Sequence, residues 1–246
     1  MARTTDTHER PLRAVPRAVL ALLIGGLLCQ VALHRTLDAA HGQATELPVA
    51  PPAALLDVAA FGERATLSRG LMLWLQSFES RTGHVAALTE LDYARVETWL
   101  DRALRLDPRS DYPLLAASRI YADVPDPARQ RRMLDFVHRA FLNEPALRWR
   151  WLAHAALMAK HRLHDPHLAL TYARTLREHT TAGSVPGWAR QMEVFVLEGL
   201  GEYEAAQVVL GALIAEGQLT DVNELAFLAK KLEELGTRIE SGRQGP

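Results

Sequence analysis

Four apolar stripes recur along this chain at nearly constant spacing. Each stripe follows the i, i+3, i+4, i+7 pattern of one face of an α-helix. The stripes are Val96, Trp99, Leu100 and Ala103; Met133, Phe136, Val137 and Ala140; Ala169, Tyr172, Ala173 and Leu176; and Ala206, Val209, Leu210 and Leu213. Their first residues are 37, 36 and 37 positions apart. A fixed period of roughly 20 to 50 residues is typical of stacked helical repeats, in which each unit buries its face against its neighbours.

The boundaries of these helices keep the same register. The run A-L-R-L-D-P ends at Pro108, and A-F-L-N-E-P ends at Pro145, 37 residues later. Proline stops a helix because its ring and its missing N–H cannot continue the hydrogen-bond ladder. Helices are expected to start at Asp126-Pro127 and Asp165-Pro166, since aspartate caps a helix and proline fits its first turn.

At these residues the chain resembles the tetratricopeptide repeat family. The resemblance lies in the A-L-R-L-D-P ending and in the G-E-Y-E-A-A corner that starts at Gly201, and it covers Leu91 to Gly217. It implies an all-α fold: an antiparallel helix-pair solenoid wound as a right-handed superhelix. The alternative is an irregular all-helical domain whose spacing is coincidental. Each repeat of that family consists of a first and a second helix. In this chain the first helices carry the large residues Tyr121, Leu157 and Val194 at positions where the family has small residues.

The N-terminal part of the chain contains an apolar run. Residues 18–33 carry no charge, and extension back to Ala14 approaches the roughly 20 residues that cross a bilayer. Four arginines precede the run and Arg35 follows closely, so the positive-inside rule predicts a cytoplasmic N-terminus. The prediction is a single-pass bacterial inner-membrane protein with a periplasmic C-terminal domain. The alternatives are a cleaved signal peptide, lipoprotein processing at Cys29 and a buried core helix.

The predicted organisation has five segments. They are a cytoplasmic tail (1–13), a transmembrane anchor (14–33), a proline-containing tether (34–52), the repeat domain (53–235) and a disordered tail (236–246). Cys29 is the only cysteine, so the repeat domain must be stable through packing alone. Lysine is rare beside arginine, which favours a GC-rich bacterial genome.

Composition and motifs argue against several function classes. A net charge of −1 lacks the basic excess of nucleic-acid-binding proteins. Phosphate-binding glycine loops, nucleophile elbows and Cys/His pairs are missing from the sequence, so we expect no enzyme activity and no cofactor. The histidines at 154, 161, 164 and 167 include two residues spaced for one helix face. They lack a zinc-ligand motif, and we expect no metal site there.

Two surfaces are candidates for binding a partner. The first contains Arg148, Trp149, Arg150 and Trp151, because arginine and tryptophan are favoured at interface hot spots. The alternative is one core tryptophan beside solvated arginines. The second is the groove-facing side of the first helices, which the family resemblance implies. Its candidate residues are Tyr112, Ser118, Arg119, His154, Lys160, Arg190 and Glu193. The arginines of both surfaces are expected to be exposed.

The sequence therefore predicts a membrane-anchored scaffold or adaptor that binds or assembles other proteins on the periplasmic side. Its partners would be proteins, including subunits of a membrane complex, and the membrane itself through residues 14–33. The alternative is a structural subunit fixed within a larger membrane complex. A third hypothesis, from a different class, is a metal-binding protein or hydrolase that uses the histidines.

Overall fold

The computed structural model describes residues 16–40, 47–78, 88–181, 183–216 and 222–243. The chain divides into two units, Met1–Glu46 and Leu47–Pro246. The first unit contains helix α1 (Arg17–Ala40). The second unit contains α2 (Ala53–Ala59), α3 (Arg64–Gln76), α4 (Tyr93–Leu106), α5 (Tyr112–Leu115), α6 (Pro127–Asn143), α7 (Pro145–His161), α8 (Pro166–Glu178), α9 (Gly187–Leu200), α10 (Tyr203–Ala215) and α11 (Val222–Arg243). A π-helical turn, Ala116–Tyr121, continues α5.

Aspartate caps begin three of these helices. The Oδ1 atom of Asp92 accepts hydrogen bonds from the first backbone amides of α4, and Asp126 does the same for α6. Asp165 accepts from the amide of Leu168 at the start of α8. Such caps satisfy amides that have no partner within the helix. The helix starts predicted at the two Asp-Pro pairs are confirmed.

The four apolar stripes lie on α4, α6, α8 and α10 and face the core. All of their residues are buried except Val209, which is half-buried. Each helix from α6 to α10 packs on the next one along the chain, and further contacts join α4 to α6 and α7 to α9. The all-helical fold predicted from the sequence is therefore confirmed. Its assignment to the tetratricopeptide class remains a prediction.

The predicted transmembrane helix is wrong. Within the described residues, no helix has the length and apolar character required to cross a bilayer. The apolar run lies in the first part of α1, and polar residues follow from His34 onward. The periplasmic location depends on that anchor and stays a prediction. The predicted cytoplasmic tail, residues 1–13, lies outside the described residues.

Two other predicted boundaries differ from the structure. Residues 34–40 of the predicted tether belong to α1. The last residues of the tether lie along α4. There the backbone carbonyls of Leu47 and Pro48 accept hydrogen bonds from Arg95 Nη1 (2.6 Å) and Trp99 Nε1 (2.9 Å). The predicted disordered tail is helical to Arg243. Leu228, Leu235 and Ile239 are buried at helical spacing and explain this extension.

Candidate protein-binding surface

Two tryptophans and an arginine form an aromatic surface where α7 and α9 begin. The rings of Trp149 and Trp188 meet edge to face, with centroids 5.5 Å apart. The guanidinium carbon of Arg150 lies 5.5 Å from the Trp149 centroid, within the range of a cation–π contact. Trp188 is 51% exposed and Trp149 is half-buried. We call Trp149, Arg150 and Trp188 the tryptophan surface.

A third tryptophan links this region to the preceding loop. Trp151 Nε1 donates a 2.7 Å hydrogen bond to Oδ1 of Asp111, which directly precedes α5. The loop itself is held by the amide of Ser110, which donates to the carbonyl of Asp107. The turn before α5 and the first turn of α7 are therefore fixed against each other, although they are 40 residues apart in the sequence.

A cavity of about 220 Å³ lies between that loop and α7. Residues 108–111 and 146–150 line it, so Trp149 and Arg150 belong both to this cavity and to the tryptophan surface. We call it the loop–helix cavity. Helix α7 begins with Pro145 and has no side-chain cap, because the Glu144 side chain does not bond to the amides of the first turn.

Arg148 is buried, which corrects the prediction that it is exposed. Its Nη1 donates to the carbonyl of Ala140 (2.7 Å) and its Nη2 to the carbonyl of Pro108 (3.4 Å). Burial lowers its pKa, and nearby Glu144 partly opposes that effect. The side chain thus ties the end of α6 and the loop before α5 to α7. This environment was hidden in the sequence because the same R-W-R-W pattern places Arg150 in solvent.

Arg190 and Glu193 are also buried, so the predicted exposure of Arg190 is wrong. Arg190 makes two hydrogen bonds to the carboxylate of Glu216, at 2.6 and 3.1 Å. Arg174 and Arg177 donate to Glu193, which is only 1% exposed. These pairs cross between α8, α9 and α10. They join helices together, and their charges are already matched within the fold.

The remaining groove candidates lie apart from this ion-pair network. Arg119 is exposed on the π-helical turn, and His154 is half-buried on α7. Burial and, to a smaller extent, the charge of Arg119 lower the pKa of His154. Tyr112 is half-buried and hydrogen-bonded to Gln76. Ser118 is buried and Lys160 is half-buried. A surface made of all the predicted groove residues is therefore not present.

The histidine hypothesis finds no structural support in the described ranges. No group of three histidine, cysteine, aspartate or glutamate side chains there is placed to hold a metal ion. His164 adopts a positive φ of 53° in the turn before α8, and Asp165 beside it caps that helix. The turn before α8 therefore accounts for His164 and Asp165.

A larger cavity of about 540 Å³ lies between α4 and α6. Its lining includes Glu97 and Arg139, which are joined by an ion pair of 2.6 Å. Glu97 also pairs with Arg132 at 3.2 Å. Arg148 lines this cavity as well as the smaller one. Because these charges compensate each other, the larger cavity gives a weaker indication of a ligand.

The sequence patterns did not identify Arg109, Ser110, Asp111 and Trp188 as parts of the site. The repeat period carried a usable signal, because it aligns the Asp107-Pro108 turn with Glu144-Pro145 and predicts that successive turns are neighbours. Comparison of the chain with known protein families, curated proteins and solved structures found no match.

Proposed function

We propose that the second unit is a tetratricopeptide-like scaffold that binds another protein through the tryptophan surface. The single observation that carries this proposal is the half-exposed Trp188 held edge to face against Trp149, with Arg150 over the Trp149 ring. Exposed tryptophan and arginine side chains are the residues most enriched at interface hot spots. Exposure of about half of an indole ring to water is unfavourable, and burial of that apolar area against a partner would stabilise the complex.

Contacts between residues about one period apart support the stacked-repeat part of the proposal. Ser68 donates to the carbonyl of Ala103 at a separation of 35 residues, and Arg132 to Glu97, also at 35. In a stack of repeats each unit contacts its neighbours, so corresponding positions meet at this spacing. Such a stack gives the tryptophan surface a rigid base, which reduces the entropy lost when a partner binds.

The chemistry of the surface also favours recognition. Indole rings and guanidinium groups contact apolar and anionic groups of a partner. Neither group supplies a nucleophile or a general base at neutral pH, because arginine stays protonated and indole only donates. This distinguishes the surface from an acid–base site, in which a titratable group must exchange protons.

Quantitative affinity purification tests the proposal. We expect Trp188→Ala to reduce recovery of a specific partner, because it removes the exposed ring, while the thermal transition is retained. The matched control is Val208→Ala, which removes another well-exposed apolar side chain, on α10. Equal recovery from the parent and both variants would contradict the proposal. A partner recovered at constant stoichiometry through every purification step would identify the chain as a fixed subunit of a complex.

A further inference from the structure

The loop–helix cavity has an excess of positive charge. Arg109, Arg148 and Arg150 line it, together with the carboxylate of Asp111. None of the three arginines makes an ion pair with a carboxylate in the part of the chain that the structure describes. Glu144 lies close enough to affect the pKa of Arg148. With both acids counted against the three arginines, one net positive charge remains.

Arg148 is the unusual member of this group, because it is a 6% exposed cation without a carboxylate partner. Its two terminal nitrogens donate to carbonyl oxygens, but its Nε–H has no hydrogen-bond partner among the described residues. A buried charge is costly unless it is paired, and an unmatched buried donor adds to that cost. An anion in the cavity would compensate the buried charge.

The start of α7 reinforces the preference for an anion. The N-terminus of a helix carries a partial positive charge, and anions are stabilised there. Helix α7 has 17 residues, and no side chain caps its first turn. The hydroxyl group of Ser110 lies in the same lining and is able to donate a further hydrogen bond.

From this juxtaposition we infer that the loop–helix cavity binds a carboxylate, supplied by an acidic side chain of the protein that covers the tryptophan surface. The inference rests on the proposed function for the source of that carboxylate. An acidic side chain is an anion that a protein partner supplies without modification, whereas a phosphate group requires phosphorylation of that partner. Guanidinium groups also match the planar geometry of a carboxylate. Because Trp149 and Arg150 border both sites, the acidic residue would lie next to apolar groups that contact the rings.

Carboxylate binding is measured directly with sodium acetate as the probe. We would titrate acetate against sodium chloride at constant ionic strength and follow the arginine Nε–H and tryptophan indole resonances of the full chain by NMR. The expected result is a saturable shift of the Arg148 Nε–H and the Trp149 indole. The double variant Arg109→Gln/Arg150→Gln should weaken acetate binding by about tenfold, since two nearby charges are lost.

The control variant is Arg69→Gln, which removes the same charge from an exposed position on α3. It should leave acetate binding unchanged. Shifts that are identical in acetate and chloride would overturn the inference, as would saturable binding of inorganic phosphate without binding of acetate. The two proposals fail separately: Trp188→Ala should keep acetate binding while it loses the partner. If the Trp188 variant loses the partner but the parent protein does not bind acetate, only the inference of a carboxylate site is refuted, and the proposed function stands.

Discussion

The phenol of Tyr172 donates a 2.7 Å hydrogen bond to Oδ1 of Asp135, and the two residues are 37 positions apart. That separation equals the period of the apolar stripes in the sequence. Tyr172 belongs to the stripe on α8, and Asp135 lies on α6 beside the preceding stripe. Burial and the bond to Asp135 raise the pKa of Tyr172, so the phenol remains a hydrogen-bond donor at neutral pH. This hydrogen bond therefore joins equivalent helices of successive repeats.

Removal of this hydroxyl group should destabilise the fold. Tyr172→Phe is expected to lower the free energy of unfolding by about 1.5–3 kcal/mol, the usual range for a hydrogen bond to a charged group. The measurement is urea unfolding, and a double-mutant cycle with Asp135→Asn isolates the pair. Tyr203→Phe is the control, because that hydroxyl makes no hydrogen bond to a described residue. Equal stability of the Tyr172 variant and the parent would mean that the hydrogen bond between Tyr172 and Asp135 does not stabilise the packing of successive repeats.

Arg148 and Arg150 should respond in opposite ways to truncation. Arg148→Ala removes a buried side chain and leaves two carbonyl oxygens without their donors, so we expect a loss of about 2–4 kcal/mol of unfolding free energy. Arg150→Ala changes an exposed residue and should alter stability by no more than about 0.5 kcal/mol. Thermal and urea unfolding of both variants provide the comparison. Similar stability of the two variants would contradict the buried placement of Arg148.

The contrast between these arginines shows where sequence reasoning stops. The apolar stripes and the Asp-Pro helix starts follow from local rules, periodicity and capping, and the structure has them where they were predicted. The burial of Arg148 depends on the carbonyl of Pro108, 40 residues away, which no local pattern encodes. Arg190 is similar, because its partner Glu216 lies at the end of the following helix.

The apolar run before Ala40 shows a different limit. Its length, its lack of charge and its flanking arginines predict an anchor, but no helix in the part of the chain that the structure describes is long and apolar enough to span a membrane. The tryptophan surface was predicted in part. Trp149 and Arg150 were named from residue type, whereas Trp188 joins them only because α7 and α9 pack against each other.

Stability should fall below about pH 6.5. Burial lowers the pKa of both His138 and His154, with Asp135 partly opposing the effect at His138. The unfolded chain then takes up protons near pH 6.5, while the folded chain does so only at lower pH. The free energy of unfolding is therefore unaffected by these two histidines above about pH 6.5, and it decreases as the pH falls below that value. Asp165 and Glu216, whose pKa values are also lowered, extend the loss below about pH 4.5.

Thermal unfolding at pH 7.5, 6.5 and 5.5 checks this dependence. The double variant His138→Gln/His154→Gln should show a smaller fall in melting temperature between pH 7.5 and 5.5 than the parent. The control is His161→Gln, an exposed position on α7, which should retain the slope of the parent. An unchanged slope in the double variant would show that other groups control the acid response.

Site-specific photocrosslinking tests whether a partner covers the tryptophan surface, because it reports which positions contact another protein in the cell. A benzophenone amino acid would replace Trp188 in one protein and Val208 in another, both well-exposed positions on different helices. We expect a discrete crosslinked protein from position 188, with its yield reduced by Trp149→Ala, and no such product from position 208. Equal crosslinking from the two positions, or a discrete product from position 208 alone, would contradict the tryptophan surface as the binding site.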